Sequence, residues 1–501
     1  MIKLIYRIES DYMSKKRMLI VTSVTLSVVT ISLGIVKLYQ TYALSNYIGT
    51  VTDTGIDVYI NDDSYASIPA NGSSNVYYML TNTNPGTVKY GVAYQTTSGV
   101  TVKVYDTSED PATGTIEEND KKYIKLHLEN KNSTNKTIEL STVLGYENGG
   151  DLVVPSGVTL VTDTYTPPPT AAEYITKLYT TASKTTVTNN SITYNTAPSV
   201  SLMNDRLGGT TTDLDGGNIR YYGASPNNYI YFNCSDYSNQ TSSTCETWRI
   251  IGVFDGKLKL IRGSQIGKYS WDNKNKSTGA ENNSGKNDWT TARLMKLLNP
   301  SDYYTVDSND NNLGQSLYYN SASGKCYSGQ NNATVDCDFT STGIKNDETR
   351  NMIAETTYYL GGWNSYSVYP NEIYEYERGT TVYTGRPPTW PGKIALAYPS
   401  DYGYAADLNQ CKDKTLYYYD NSTCTSNNWM KAILGTSSHG WLLTPYSGHS
   451  YYAWHVRSGG NVYSYLAYGA YGAVPVLSLS SELGIESGGD GSSSNPYKLS
   501  A

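Results

Sequence analysis

The side chains best equipped for chemistry gather between Trp441 and Leu479, in the stretch WLLTPYSGHSYYAWHVRSGGNVYSYLAYGAYGAVPVLSL. The chain has 4 histidines, and His439, His449 and His455 lie in or just before this stretch. Tyr446, Tyr451, Tyr463, Tyr465, Tyr468 and Tyr471 are interleaved with them, and Arg457 follows His455 at the next alternate position. Imidazoles could supply a base, but no G-x-S-x-G nucleophile elbow and no H-E-x-x-H zinc pair accompanies them. The composition suits contact better, because tyrosine offers a large amphipathic surface at low entropic cost. The six tyrosines with His449, His455 and Arg457 are the expected ligand-binding residues. No catalytic set, metal site or cofactor is expected.

The other reactive side chains are 6 cysteines. They fall as Cys234 and Cys245, Cys326 and Cys337, Cys411 and Cys424, at separations of 11, 11 and 13 residues. Many pairings are open in principle, but three local disulfides, each closing a polar loop, are the simplest. There is no CxxC and no clustered Cys/His spacing of the kind that holds zinc. Disulfides imply an oxidising compartment, and a loop of this size contributes about 3 kcal/mol in the chain-entropy model.

The element that must position the tyrosines is a hairpin. Alternating residues run from Tyr451 to Arg457, Ser458-Gly459-Gly460-Asn461 supplies turn chemistry, and a second alternating run starts at Val462. With period-two alternation, Tyr452, Trp454 and Val456 share one face, expected in the core. Tyr451, Ala453, His455 and Arg457 share the other, expected to meet solvent or a ligand. Upstream, WRIIGVFDGKLKLIR reads as a second hairpin turning at Asp255-Gly256. Asn287-Asp288 and Asn427-Asn428 read as caps of helices over Trp289 to Leu298 and Trp429 to Leu434.

The remaining chain reads as a support for this end. Tyr 50 against Phe 3, with only 17% charged residues, suits exposed β-structure. A net charge of -7 leaves no basic stripe for nucleic acid. Residues 18–38 are expected to form a transmembrane helix, because Met18 to Val36 carries no charge and follows Lys15, Lys16 and Arg17. Residues 1–17 would then be a cytoplasmic tail and the rest extracellular, in a single-pass cell-membrane protein. Short alternating runs over 50–162 predict an immunoglobulin-like β-sandwich stalk. Candidate strands are Ile56 to Ile60, Val76 to Thr81, Val88 to Tyr94, Val100 to Tyr105, Tyr123 to Glu129, Thr137 to Tyr146 and Val158 to Thr162. Residues 163–172, with three consecutive prolines, read as a semi-rigid linker. A short amphipathic helix capped by Thr170 should open the last domain, 173–501, which is expected to be α+β.

The segments IRYYGASPNNYIYFN, ETWRIIGVFDGKLKLIR, GKIALAYPSDYGYA, NNWMKAILG and the WLLTP to VPVLSL end resemble a family of exported bacterial domains. That family is similar to the C-type-lectin-like fold shared with formylglycine-generating enzymes, and the resemblance covers about residues 215 to 480. It implies that the closing hairpins present the ligand surface. In some relatives this end is the diversified target of retroelements. The chain departs from the active members: nothing after Cys424 is cysteine, and neither the Glu-Pro-Asn loop nor the Trp-Asn-Asp strand of calcium-dependent lectins is present. Asp213 and Asp215 in TTDLDGGN share part of a calcium-loop pattern but stop short of its ligand set, so they are expected to form a structural turn.

The function implied is that of a membrane-anchored surface protein for ligand binding or adhesion. Its partner would be a glycan or a host or phage protein, held on a Tyr-rich lectin-like surface. The alternatives are an extracellular enzyme related to formylglycine-generating enzymes and a passive envelope component.

Overall fold

A computed structural model describes residues 38–44, 51–52, 55–56, 60–82, 86–146, 152–274, 283–306, 313–329, 333–436 and 438–500. The chain divides into two compact units, Met1–Pro168 and Pro169–Ala501.

The first unit is built from β1 (Leu38–Leu44), β2 (Ile60–Ile68), β3 (Gly72–Asn82), β4 (Val88–Gln95), β5 (Val100–Tyr105), β6 (Thr113–Ile116), β7 (Lys121–Asn130), β8 (Lys136–Tyr146), β9 (Val158–Leu160) and β10 (Thr164–Tyr165). One sheet has the order β1-β3-β7-β5-β10, and the other runs β9-β4-β8-β2 with β6 beside β4. Alternation decides the core: Val76, Tyr78, Leu80, Leu126 and Leu128 come from the first sheet, Tyr90, Val92, Ile138 and Leu140 from the second. Buried Tyr78 shares a hydrogen bond of 2.5 Å with Thr142 of the second sheet.

Two expectations for this half are corrected. Most of the expected transmembrane helix, residues 18–37, lies outside the described residues, and Leu38, its expected last residue, opens strand β1. Among the described residues no helix is long and apolar enough to cross a membrane. The longest has 11 residues, about 16 Å of rise. The fold class is therefore β-rich with short helices. The expected strand Ile56 to Ile60 is also displaced: Gly55–Ile56 pairs with Val51–Thr52 instead, while β2 runs on from Ile60 to Ile68. Residues 57–59 between them lie outside the described set. The polar run INDDSYASI was no apolar-periodic signal, yet its backbone pairs with β8 from Ile68 to Ile60. Thr164 and Tyr165, expected in the linker, pair with β5, and Tyr165 stacks on His127 at 3.6 Å.

The second unit opens on α1 (Ala171–Thr181), where Thr170 and Glu173 form a reciprocal capping box. The strands of its two main sheets are β11 (Thr185–Asn189), β12 (Ile192–Ala197), β13 (Leu202–Asn204), β14 (Ile219–Tyr221), β15 (Tyr229–Phe232), β16 (Glu246–Phe254), β17 (Lys257–Arg262), β18 (Gly267–Tyr269), β19 (Ile394–Ala395), β20 (Gly440–Pro445), β21 (Tyr452–Val456), β22 (Val462–Leu466), β23 (Tyr471–Ala473) and β24 (Val476–Ser478). The larger sheet has the order β11-β12-β13-β14-β16-β17-β24-β19, with β15 on β16; the smaller has the order β18-β23-β20-β21-β22. Asp255 and Gly256 turn the β16–β17 hairpin with φ of 49° and 71°, the left-handed pair a two-residue hairpin turn needs.

Three short helices, α2 (Arg293–Leu298), α3 (Pro370–Arg378) and α4 (Pro399–Tyr404), pack among these sheets. Both expected capped helices are shorter than the pattern implied. Asp288 caps only the tight turn Trp289–Thr291, and extended Ala292 separates it from α2. Near residue 430 only Lys431–Leu434 is helical, with the Asn428 carboxamide accepting from the Met430 N–H. Three disulfides join Cys234 to Cys245, Cys326 to Cys337 and Cys411 to Cys424, and no cysteine is free. They belong to an oxidising environment.

At the centre of this unit lies a buried ionic cluster. Asp401 of α4 accepts from Arg220 of β14 at 2.9 Å and from Lys259 of β17 at 2.5 Å, and Arg220 also pairs with Asp205 at 2.5 Å. All four are at most 6% exposed. Replacing Asp401 by Ala leaves buried Lys259 without a carboxylate and Arg220 with Asp205 alone, which should cost about 3–5 kcal/mol. Urea denaturation of the whole chain measures this; a loss under about 1 kcal/mol would show that the cluster is already solvated.

Candidate functional site

Strand β20 is buried along its whole length, GWLLTP, and lies at the centre of the smaller sheet. Beside it, β21 and β22 form the expected hairpin in the register Val456↔Val462, His455↔Tyr463, Trp454↔Ser464 and Ala453↔Tyr465. Its turn closes through Arg457 N–H to the Asn461 carbonyl at 2.9 Å, with Gly460 at φ 105°. The loop entering β21 is pinned from outside the stretch. The Asn287 carboxamide donates to the carbonyls of Tyr446, His449 and Tyr452 at 3.1, 2.7 and 3.0 Å.

Trp454 and Val456 are fully buried, as the alternation predicts. The opposite face is not the solvent face, and His455 is corrected from exposed to buried at 1% exposure, with Ala453 at 0%. The reason is position in the sheet: β21 lies between β20 and β22, and rings cover both of its faces. His455 lies 5.1 Å from His439, 4.9 Å from Tyr471 and 5.9 Å from Trp441, ring centre to ring centre. Its Nδ1 is buried with no hydrogen-bond partner. Burial holds its pKa well below the usual histidine range, and His439 and Arg457 depress it further. The imidazole is therefore neutral, and it packs as a plate among the surrounding rings.

Of the other expected residues, Tyr463, Tyr465 and Tyr471 lie around this ring. Tyr465 is 42% exposed, its ring tilted at 46° to that of half-buried Tyr471 at 5.2 Å, while exposed Arg457 lies 4.5 Å from the ring of Tyr463. Burial, with Tyr465 nearby, pushes the Tyr471 phenol up to about 12. Tyr446, His449 and Tyr451 gather on the loop entering β21, with Tyr446 to His449 at 5.9 Å and His449 to Tyr451 at 5.6 Å. Tyr468 stands apart, its ring facing Lys274 at 5.3 Å.

Sequence reasoning missed the residues that join these groups. Tyr366 stacks on Tyr463 at 4.3 Å and on Tyr446 at 5.3 Å, and shares a hydrogen bond of 2.6 Å with Ser464 of β22. Tyr417 lies 6.2 Å from Tyr463 and carries Tyr418, 55% exposed, against it at 5.0 Å. The only local hint was the run Tyr417-Tyr418-Tyr419 beside a cysteine loop. The assembled band presents ring edges, ring faces and phenol hydroxyls, with Arg457 as its exposed cation.

No group of three or more His, Cys, Asp or Glu side chains among the described residues could hold a metal. Asp213 and Asp215 form a turn, the Asp213 carboxylate accepting from the Asp215 N–H at 2.9 Å. Asp215 accepts from the Tyr179 hydroxyl at the wall of a separate polar cavity of about 390 Å³ that Lys184, Asn204 and Asp255 also line. No family model, curated protein or solved structure matches the chain.

The buried imidazole has a measurable consequence. A histidine whose folded pKa is depressed binds its proton more readily in the unfolded chain, so its contribution is complete above about pH 6.5 and is lost as pH falls below that value. Wild type should therefore lose more stability than His455→Gln between about pH 7.5 and about pH 5.5. Urea titrations at both pH values check this; equal losses would mean that the ring titrates in the folded state as it does unfolded.

Proposed function

We propose that the unit formed by residues 169–501 is a ligand-capture domain of an exported protein. The observation that carries this reading is the continuous band Tyr446–Tyr366–Tyr463–Tyr417. Neighbouring rings in it sit 4.3 to 6.2 Å apart, exposed Tyr418 packs against Tyr417 at its end, and exposed Tyr465 lies beside Tyr471 on the same hairpin sheet. Buried tyrosines fill a core whatever the function, but a core has no use for exposed ones packed against their neighbours. Rigid rings with a hydroxyl at the tip lose little entropy on binding and offer both apolar and hydrogen-bonding contact. A glycan fits this chemistry first, because sugars also alternate apolar C–H faces with hydroxyls. The disulfides support export.

A glycan array probed with the whole chain tests the reading, with a panel of candidate host and phage proteins immobilised beside it. Saturable binding to glycans supports the proposal, binding only to a protein reassigns the ligand class, and binding to neither overturns it. Tyr465→Ala and Tyr418→Ala should each weaken capture about tenfold or more, with stability changed by about 0.5 kcal/mol or less. Unaltered affinity in both variants would remove the band from the binding surface.

A further inference from the structure

Among the cations of the second unit, buried Arg220 and Lys259 face Asp205 and Asp401, and half-buried Arg262 faces Glu246 at 2.9 Å. Arg249 of β16 is 7% exposed, yet it has no ion pair with a carboxylate among the described residues. It is held firmly by neutral groups. Its Nε donates to the carboxamide oxygen of Asn228 at 2.6 Å, and Nη2 reaches the Pro226 carbonyl at 3.4 Å. Its guanidinium carbon lies 3.7 Å from the ring centre of Tyr229 and 4.7 Å from that of Trp429.

The clamping groups are themselves fixed. Asn228, fully buried, donates to the Ile250 carbonyl at 2.7 Å, and the Trp429 indole donates to the Tyr221 carbonyl at 3.1 Å. The Tyr229 hydroxyl is a further hydrogen-bond neighbour of the guanidinium, and Nη1 has no carbonyl or carboxylate acceptor among the described residues, so part of the five-donor fork is left for another group. Burial pulls the guanidinium down to about 10, and only the neighbouring Tyr229 acts against that. A buried charge left unneutralised is costly, and an incoming anion would relieve that cost. A planar fork held in place suits an oxyanion that can accept two parallel N–H bonds.

We propose that Arg249, clamped by Asn228, Tyr229 and Trp429, anchors an oxyanion-binding notch that takes a carboxylate, sulfate or phosphate group. This site is independent of the tyrosine band, and neither reading rests on the other.

The test is calorimetric titration of the whole chain with sodium phosphate, sodium sulfate and sodium acetate, at ionic strength held constant with sodium chloride. Saturable binding with Kd of about 1 mM or tighter, lost in Arg249→Gln and about tenfold weaker in Arg249→Lys, supports the site. The three arms decide whether tetrahedral oxyanions or carboxylates are preferred. Since Arg249→Gln can fail to fold, the Nε–H resonance of Arg249 in 15N-arginine-labelled wild type gives a second readout, assigned by its loss in Arg249→Lys. A saturable shift of that resonance with any of the anions supports the proposal. No saturable heat and no shift with all three, or equal binding by wild type and a folded Arg249→Gln, overturns it.

Discussion

The second unit depends on one carboxylate. Asp401 stands at the start of α4, where it accepts the Tyr398 N–H of its own capping box at 3.0 Å while holding Arg220 and Lys259. Those two cations come from β14 and β17, so one side chain ties a helix to two strands of the larger sheet. Next to it, Ser400 donates through both N–H and hydroxyl to Glu377 of α3, at 2.9 and 2.5 Å, bringing a second helix into the same network. Burial raises the Glu377 carboxyl to about 7, with Arg378 and Ser400 acting against it. A cluster of this kind gains little over apolar packing of equal volume, because desolvation consumes most of the Coulomb energy. Its effect is on alternatives: any slip of β14 or β17 leaves a buried charge alone.

The second constraint is compositional. With Tyr 50 and Phe 3, the aromatic core is built from phenols, and each buried hydroxyl must find an acceptor. Tyr90 donates to the Pro111 carbonyl at 2.9 Å and Tyr402 to the Gly460 carbonyl at 2.6 Å. The second of these bonds connects α4 to the turn of the β21–β22 hairpin. The tyrosines that fill the core thus also aim the hairpin that carries the aromatic band. Where a hydroxyl is buried without a partner, as at Tyr318, desolvation raises its pKa well above the ordinary value and it stays a neutral phenol.

The band itself depends on convergence of distant loops. Tyr366 and Tyr417 are about 100 and about 50 residues from the hairpin they complete. The Tyr417 N–H reaches the Tyr366 carbonyl at 3.2 Å, which brings the two loops together before either meets Tyr463. Ser464 faces Trp454 across the hairpin and takes the Tyr366 hydroxyl, so the same strand pair that buries the indole seats the outer ring. Arrangement of this surface and packing of the core are therefore one problem, and a substitution at either end is felt at the other.

Features governed by neighbours along the chain were legible in the residues alone. The turns at Asp255-Gly256 and Ser458 to Asn461, the Thr170 cap and the three short cysteine loops each close within about 14 residues, where local conformational preference decides. Alternation also placed Trp454 and His455 on opposite faces, because side-chain direction in a strand has period two. What it could not contain is what covers each face. His455 is buried because β21 became an inner strand with Tyr471 and His439 packed over it. Strand order is a long-range property that no window of sequence encodes. The same holds for Arg249: only the folded chain shows that two rings and an amide clamp it with no carboxylate of the described residues paired to it. Local chemistry determined the elements, and tertiary packing decided which of their faces remain open to solvent.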